Sequence, residues 1–266
     1  MESLEPSNVF EIEHVSFAYD GKQLAVEDIS LQIPSGSCMV ILGANGCGKS
    51  TLLKLLDALY FPTQGKISAF GNVLTEEALR DDAANFAFRR KVGLVFQDAD
   101  VQLFSPSVLD EVAFAPLQLG LSLAEVEQRV EDALKVLRIE KLRDRAPHRL
   151  SGGEKRRVAL ASLLSLQPEV WLLDEPTTGL DPRSQSWLID FIRQQREDGK
   201  TIVTATHDLE IAGQIASKIV VFDEDHHIAA VGNPQDILEN HDLLHHCNLS
   251  HYHVAQIEKH SQKSDS

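Results

Sequence analysis

The sequence predicts an α/β protein with a mostly parallel core sheet, a β-rich beginning and a helical insert. Short apolar runs alternate with amphipathic segments along most of the chain, which is typical of parallel sheets covered by helices. A glycine-rich loop joins one apolar run to a predicted helix, and residues 98–165 follow helical periodicity. These patterns predict a folded unit over residues 1–240 and a polar, His-rich tail over residues 241–266.

The chain begins with predicted strands. Residues 10–17 and 29–33 alternate between apolar and polar side chains, which is typical of half-buried strands. A turn at residues 34–36 leads into the apolar run 38–42, and a continuous run of this kind predicts a buried parallel strand. The glycine loop follows at once, and a helix is predicted from residue 49 to residue 59.

Capping residues mark the helices of the insert and those that follow it. In a capping box a serine and a glutamate three residues later bind each other's main-chain N–H groups. An Asp or Asn followed by Pro marks a helix start in a second way. The apolar runs 170–173 and 201–205 predict buried strands after the insert. The capping boxes are Ser122 with Glu125 and Ser151 with Glu154, and the other starts are Asp181-Pro182 and Asn233-Pro234.

Composition excludes several classes of protein. The 266 residues include 25 Lys and Arg against 40 Asp and Glu, and the net charge of -15 argues against a general nucleic-acid or anionic-lipid surface. No apolar run approaches the ~20 residues that cross a bilayer, and the acidic first residues predict no secretory signal. Cys38, Cys47 and Cys247 have no paired spacing, so we expect no disulfide and no zinc site, which fits a reducing cytosol.

Residues 43–50 match the phosphate-loop pattern G-x-x-x-x-G-K-[ST] without a departure. Glycines let main-chain N–H groups turn onto phosphate oxygens, and the following helix adds its positive end. Lys49 is expected to reach the β- and γ-phosphates, and Ser50 to bind Mg²⁺ through its hydroxyl. Cys47 has two interpretations, a reactive thiol beside a cationic site or a small residue that fills its position.

A pair of carboxylates follows the apolar run 170–173. The carboxyl ends of the strands are where sheets of this class bind ligands. Asp174 is expected to hold Mg²⁺ through water. Glu175 is the candidate general base that polarises the attacking water. ATP and Mg²⁺ are therefore the expected ligands of the chain.

A second anion site is predicted at the start of another helix, where Ser151, Gly152 and Gly153 lie. This site has no phosphate loop of its own, so its phosphate must come from elsewhere. Two chains packed head to tail would supply two shared ATP sites, and closing them would exclude water from the phosphates. The sequence therefore predicts an ATPase that works as a dimer, either of two identical chains or of this chain with a homologue.

With these motifs in this order, residues 8–240 resemble the nucleotide-binding subunit of ABC transporters. The resemblance implies a P-loop NTPase of ABC type, with a mostly parallel core sheet, an N-terminal antiparallel β subdomain and a helical subdomain. Residues 150–154 match the signature that binds the γ-phosphate from the opposite subunit, and residues 179–181 match the loop that couples the two sites.

The resemblance also assigns roles to single residues. Tyr19 matches the aromatic that stacks on adenine, Gln97 the glutamine that senses Mg²⁺ and faces the transmembrane partner, and His207 the histidine that contacts the γ-phosphate. Taken singly, these would be a strand-edge aromatic, a surface amide and a core histidine. The expected catalytic residues are Lys49, Gln97, Glu175 and His207, and the expected metal ligands are Ser50, Gln97 and Asp174. The expected nucleotide-binding residues are Tyr19, Gly43, Ala44, Asn45, Gly46, Cys47, Gly48, Lys49, Ser50, Thr51, Ser151, Gly152, Gly153 and Asp181.

Residues 97–116 look like the ATPases of energy-coupling factor transporters, which import vitamins or transition-metal ions. In that family two ATPase subunits bind an integral membrane scaffold that carries a small substrate-binding membrane component. The resemblance implies a peripheral protein on the cytoplasmic face of the cell membrane, with no direct membrane insertion and no nucleic-acid partner. Phe104 and Pro106 have two interpretations, as parts of the scaffold-binding surface or as packing of the helical insert.

The C-terminal residues favour a metal cargo by resemblance. Residues 248–253 are similar to the tails of cobalt and nickel ATPases in this group, and imidazoles suit such ions. The histidine spacing fits no fixed site, so a solvated His-rich end competes with a metal site. Residues 260–266 are expected to be disordered. The histidines concerned are His241, His245, His246, His251 and His253.

Three functions remain open on the sequence. The first is an ATP-hydrolysing subunit that powers uptake of cobalt or nickel, with a vitamin as the alternative transported substrate. The second is a soluble ABC-type ATPase that acts on ribosomes or DNA, but such proteins usually carry two cassettes or a long inserted arm. The third is an assembly module that binds ATP without useful turnover, and the intact Lys49, Glu175 and His207 argue against it.

Overall fold

The computed structural model describes residues 8–250 as two β-sheets with helices packed around them. The strands in chain order are β1 (Asn8–Tyr19), β2 (Gln23–Pro34), β3 (Cys38–Leu42), β4 (Gln64–Ala69), β5 (Asn72–Val73), β6 (Val92–Val95), β7 (Val170–Asp174), β8 (Thr201–Thr206), β9 (Lys218–Phe222) and β10 (Ile228–Gly232). The α-helices in chain order are α1 (Lys49–Leu56), α2 (Asp82–Arg89), α3 (Val108–Gln118), α4 (Leu123–Val136), α5 (Gly152–Leu166), α6 (Pro182–Glu197), α7 (Leu209–Ile215), α8 (Pro234–Leu238) and α9 (His241–His246). Short 3₁₀ turns lie at Ala78–Arg80, Ala99–Val101, Glu140–Leu142 and Pro147–Arg149.

The smaller sheet is antiparallel and has the order β2-β1-β4-β5. Its strands follow the predicted alternation, because one side of β1 and β2 packs on the core while the other side faces solvent. The expected N-terminal antiparallel β subdomain is therefore confirmed.

The larger sheet has the order β10-β9-β3-β8-β7-β6. The five strands from β9 to β6 in this order run parallel to one another, and β10 pairs antiparallel with β9 at one edge. Since the strands are parallel, β3, β7 and β8 end at the same edge of the sheet. That edge carries the glycine loop, Asp174 with Glu175, and His207. The expected mostly parallel core sheet is confirmed.

Both faces of the larger sheet are buried, which explains its apolar strands. Cys38, Val40 and Leu42 of β3 pack in one cluster with helices α3 to α7. The intervening Met39 and Ile41 pack in a second cluster with α1 and the smaller sheet. A strand buried in this way has no polar face, so its sequence reads as a continuous apolar run.

The helical insert contains α3, α4 and α5, and the predicted capping devices are present at its helix starts. Both serine–glutamate boxes make the reciprocal bonds, and Asp181 and Asn233 cap α6 and α8. Helix α1 ends at Leu56, three residues before the predicted end. Ala58 adopts a left-handed conformation with φ 52, and the Arg89 guanidinium donates to the carbonyls of Asp57 and Ala58.

The first ten residues of the predicted tail pack onto the domain. Residues 241–246 form α9, Leu244 and Cys247 are buried, and Cys247 belongs to the same apolar cluster as β3. The boundary predicted at residue 240 therefore falls inside the packed structure. The later part of the tail, including His251, His253 and residues 260–266, lies outside the described residues. Within residues 8–250 no helix is both long and apolar enough to cross a bilayer.

Candidate ATPase site

The glycine loop leaves β3 and turns sharply into α1. Gly46 and Gly48 have φ of 88 and 111, a region that favours glycine. A Cβ on Gly48 would lie 2.1 Å from the carbonyl oxygen of Ala25 in β2. The loop therefore packs main chain against main chain where it enters α1, and its glycines place no Cβ beside their own N–H groups.

Lys49 lies at the first position of α1 and is buried. Its Nζ donates to the carbonyl oxygens of Gly43 at 2.8 Å and Ala44 at 3.0 Å. It also lies 3.8 Å from Oε1 of Glu175. The Lys49 ammonium thus lies between the start of the phosphate loop and Glu175, the candidate general base.

Cys47 is a packing residue in this structure. Its side chain is buried in the second apolar cluster, and a Cβ on Gly43 would lie 2.4 Å from its Sγ. Burial raises the pKa of the Cys47 thiol above its ordinary value, although Lys49 opposes this. Of the two interpretations, these contacts support the small residue that fills its position and not the reactive thiol.

Two of the predicted Mg²⁺ ligands contact each other. The Ser50 hydroxyl donates to Oδ1 of Asp174 at 2.9 Å. Burial raises the pKa of Asp174, the Ser50 hydrogen bond lowers it, and the Glu175 charge raises it further. Lys49 and Lys54 also lower it, so burial of the charged Asp174 carboxylate is compensated only in part, and a divalent cation would add to that compensation. The oxygen donors present, a hydroxyl and a carboxylate, are of the type that Mg²⁺ prefers.

Glu175 has four polar neighbours although its side chain is buried. Its Oε1 lies 2.8 Å from Nδ1 of His207, and its Oε2 accepts from Thr206 Oγ1 at 3.1 Å and Thr178 Oγ1 at 3.4 Å. Glu175 also has φ 43, a conformation that non-glycine residues rarely adopt and that is found at functional sites. Thr206 and Thr178 were not predicted from the sequence.

His207 and Glu175 form a pair at the ends of two neighbouring strands. The His207 side chain is 51% exposed, so its ring can contact both the buried carboxylate and a group that enters from outside. This exposure does not fit the core histidine that was the alternative interpretation. Ala44 and Asn45 of the phosphate loop line the same cavity as His207.

Tyr19 and Gln97 line one cleft with the phosphate loop. The cleft has a volume of about 360 Å³, and Gly48, Lys49 and Glu175 form part of its wall. The Tyr19 hydroxyl lies 3.0 Å from Thr51 Oγ1, and its ring contacts the edges of Phe17 and Tyr60. The described residues that line the cleft are Tyr19, Gln23, Leu24, Ala25, Asn45, Gly46, Gly48, Lys49, Ser50, Thr51, Gln97, Glu175 and His226.

Arg156 positions the segment that carries Gln97. This buried residue of α5 donates from Nη1 to the Phe96 carbonyl at 2.6 Å and from Nη2 to the Gln97 carbonyl. Desolvation lowers the pKa of Arg156, although Asp174, Asp98 and Glu175 oppose this. Helix α5 begins at the signature serine, so Arg156 connects the signature helix to the Gln97 segment. Sequence analysis did not single out this arginine.

The signature residues lie apart from the cleft. Ser151 and Gly152 are exposed at the start of α5, and neither belongs to the described lining of the cleft. Asp181 caps α6, accepting from Ser184 N at 3.0 Å and from Ser184 Oγ at 2.7 Å. These hydrogen bonds lower the pKa of Asp181. The structure therefore brings the phosphate loop, Asp174, Glu175, His207, Tyr19 and Gln97 together, and leaves the signature and Asp181 outside.

Phe104 and Pro106 are both exposed, and Phe104 is 68% exposed. The Phe104 ring packs edge-on against Phe114, which is itself partly exposed, with ring centroids 4.9 Å apart. Neither residue is buried in the helical insert. Both aromatic rings line a groove of about 610 Å³ between α2, β6 and α3.

Similarity to known proteins identifies the family of this chain. Residues 26–178 match the family model described as ABC transporter. The chain is 48% identical to the nickel import ATP-binding protein NikO of Rhodobacter capsulatus, over 88% of this chain and 93% of that one. This chain belongs to the ABC transporter family, as one of its ATP-binding subunits. Like other members of the family, this ATP-binding subunit, here called the cassette, binds and hydrolyses ATP.

Further similarities place the cassette near the energy-coupling factor group. It is 43% identical to the energy-coupling factor transporter ATP-binding protein EcfA of Carboxydothermus hydrogenoformans, over 88% of this chain and 84% of that one. The structure of cbiO1 from Clostridium perfringens, part of the ABC transporter complex cbiONQ, matches with a TM-score of 0.77 and 32% identity, over 96% of this chain and 99% of that one. The dimeric ATP-binding cassette MJ0796 with ADP and Pi matches with a TM-score of 0.76 and 28% identity, over 85% of this chain and 98% of that one.

Proposed function

We propose that this cassette is the ATP-hydrolysing subunit of an energy-coupling factor importer whose cargo is a cobalt or nickel ion. The single observation that carries the hydrolytic part is the buried Glu175 carboxylate between His207 and Lys49, at the strand ends where the phosphate loop begins. The cargo rests on similarity to NikO and cbiO1, which are named for nickel import and for the cbiONQ complex. A vitamin is the alternative cargo, because EcfA is also similar.

The proposed reaction begins with ATP in the cleft. Tyr19 stacks on the adenine, main-chain N–H groups of residues 43–50 bind the phosphates, and Lys49 contacts the β- and γ-phosphates. Glu175 orients the attacking water and accepts its proton, while His207 contacts the γ-phosphate. The contact between Glu175 Oε1 and His207 Nδ1 at 2.8 Å keeps these two side chains next to each other.

The proposed Mg²⁺ site consists of Ser50, Asp174 and Gln97. Ser50 and Asp174 are in contact, and Gln97 lines the same cleft. When bound, Mg²⁺ would neutralise charge on the β- and γ-phosphates. Asp174 lies one residue before Glu175, so the metal-binding carboxylate and the general base both lie at the end of strand β7.

The proposed working unit is a dimer. The exposed signature serine heads a helix of 15 residues, so it offers a phosphate site that its own cleft does not use. A partner chain packed head to tail would place Ser151, Gly152 and Gly153 against the nucleotide on Lys49. In the proposed dimer Asp181 lies in the loop that couples the two sites. The dimeric form of the similar cassette MJ0796 supports this arrangement.

The proposed membrane contact is the groove that Phe104 and Phe114 line. Exposed aromatic pairs of this size are typical of protein interfaces. Gln97 follows β6, whose residues also line the groove, so a scaffold segment in the groove would lie close to the nucleotide. The cassette would thus be a peripheral protein on the cytoplasmic face of the membrane, bound through an integral scaffold and its substrate-binding component.

A rival function, ATP binding without turnover, would leave the Glu175–His207 pair without a role. The test is uptake of ⁶³Ni²⁺ or ⁵⁷Co²⁺ in cells that carry the chain with its neighbouring membrane genes, and it compares the wild type with Glu175→Gln. Uptake that disappears in the variant supports both ATP hydrolysis by this chain as the energy source and a metal ion as the transported substrate. Metal uptake absent from the wild type, with active ATPase and vitamin uptake present, would contradict the metal cargo. Among residues 8–250 no group of three or more His, Cys, Asp or Glu side chains is arranged to hold a metal ion.

A further inference from the structure

A histidine that the proposed mechanism does not use faces the nucleotide cleft. His226 lies in the turn between β9 and β10, more than 170 positions after the phosphate loop, and it is one of the residues that line the cleft. Gln23, Leu24 and Ala25 of β2 line the same stretch of wall. His226 therefore adds a polar side chain to the side of the cleft that β2 forms.

The turn fixes His226 in an unusual conformation. Its φ is 71, in the left-handed region where a histidine is uncommon. The Asp223 carboxylate accepts from the main-chain N–H groups of Asp225 at 3.0 Å and His227 at 2.9 Å. The His226 carbonyl accepts from the N–H of Glu27 at 3.0 Å, which attaches the turn to β2. An uncommon main-chain conformation that several hydrogen bonds hold beside a ligand cleft suggests a functional role.

The two adjacent histidines of this turn differ in their partners. The His227 ring lies 3.6 Å from a Glu27 carboxylate oxygen and 3.9 Å from Asp223. The His226 Nδ1 is buried and has no hydrogen-bond partner among the described residues. Because Nδ1 is enclosed by the protein, Nε2 is the ring nitrogen of His226 that a ligand in the cleft can reach, and among the described residues it has no hydrogen-bond partner either.

We propose that His226 is a nucleotide-binding residue that hydrogen-bonds the ribose hydroxyls of ATP. The inference rests on the nucleotide site proposed above. In that site the phosphates are bound by residues 43–50 and the base by Tyr19, which leaves the ribose as the polar group without a protein partner. An imidazole nitrogen can donate to or accept from a hydroxyl. In this proposal His226 favours nucleotides that carry ribose hydroxyls over those that lack them, and it positions the ribose between the base and the phosphates.

The test is equilibrium binding of ATP and 2′,3′-dideoxy-ATP to the purified full chain. The wild type is expected to bind ATP about fivefold more tightly than dideoxy-ATP, which is the effect of one neutral hydrogen bond. His226→Gly suits the left-handed conformation and removes the ring, so it is expected to bind both nucleotides with the lower, equal affinity. His226→Asn tolerates the same conformation and keeps a hydrogen-bonding group, so it is expected to retain part of the preference.

His227→Ala is the matched control, because it removes the neighbouring imidazole, and it is expected to keep the wild-type preference. A His226→Gly variant that still prefers ATP about fivefold would overturn the proposal, as would a wild type that binds both nucleotides equally. Thermal unfolding of each variant shows whether the turn is intact. Because binding is measured without hydrolysis or transport, the result is independent of whether Glu175 or the cargo has been assigned correctly.

Discussion

Replacing Glu175 with Gln tests the proposed chemistry with little change in shape. The amide keeps the size of the side chain, and its oxygen can still accept from Thr206, which now bonds Oε2 at 3.1 Å. It loses the negative charge that lies 2.8 Å from His207 and 3.8 Å from Lys49, and it cannot accept a proton from water. General-base catalysis contributes about 10²–10⁴-fold, so phosphate release should fall by that factor, or about 3–5 kcal/mol in the barrier.

The assay is phosphate release at saturating ATP and Mg²⁺, with ATP affinity measured on the same protein. Affinity should change little, since the phosphate contacts come from the loop and Lys49. Glu169→Gln is the matched control, because Glu169 also pairs with a lysine, Lys91, at 3.5 Å but lies on the surface. The control should keep wild-type activity. A Glu175→Gln variant that retains more than about one tenth of the wild-type rate would refute the role of Glu175 as general base.

Three further predictions follow from the packing. Gly48→Ala should weaken ATP binding by at least about fivefold in a titration, since a Cβ 2.1 Å from the Ala25 carbonyl forces the loop to move at a cost of ~1–3 kcal/mol. Gly46→Ala, with open space around its Cβ, should weaken it less. In Arg156 two terminal nitrogens each bond one carbonyl of the Gln97 segment, and Arg156→Lys replaces this planar fork with a single nitrogen on a shorter side chain that cannot hold both carbonyls in the same geometry. Phosphate release should therefore fall while ATP affinity is largely kept; equal losses of both would contradict this. Burial raises the pKa of Asp57 to about 7 against the lowering effect of Arg89, so the folded state keeps a proton that the unfolded state has released. The free energy of unfolding should therefore decrease as pH rises from about 4 to about 7, and Asp57→Asn should flatten that decrease in urea titrations.

Local patterns predicted the elements whose conformation depends on near neighbours in the chain. Each of the capped helix starts bonds groups three residues apart, so serine, aspartate or asparagine at those positions was sufficient to predict α4, α5, α6 and α8. The apolar runs of β3, β7 and β8 predicted strands buried on both faces. The phosphate loop, with its flanking strand and helix, predicted the position of the site as well as its chemistry.

Contacts between distant segments were not predictable in the same way. Arg156 bonds carbonyls some 60 residues earlier, and His226 reaches a cleft that is formed mainly by the first 51 residues. No local pattern records which side chain a fold brings to such a place. The burial of Leu244 and Cys247 was missed for a related reason, because the surrounding histidines and acids dominate the composition of that segment. The end of α1 depends on Arg89, a residue of another helix.

In the proposed dimer, ATP joins two chains through the exposed signature of each. The most direct measurement is the mass in solution of the Glu175→Gln variant, by light scattering, with and without ATP and Mg²⁺. We expect a particle of twice the 29.5 kDa chain mass with ATP, and a single chain without it. Adding Ser151→Arg should prevent the dimer while ATP still binds. A Glu175→Gln protein that binds ATP yet remains at the mass of one chain would contradict the proposed dimer.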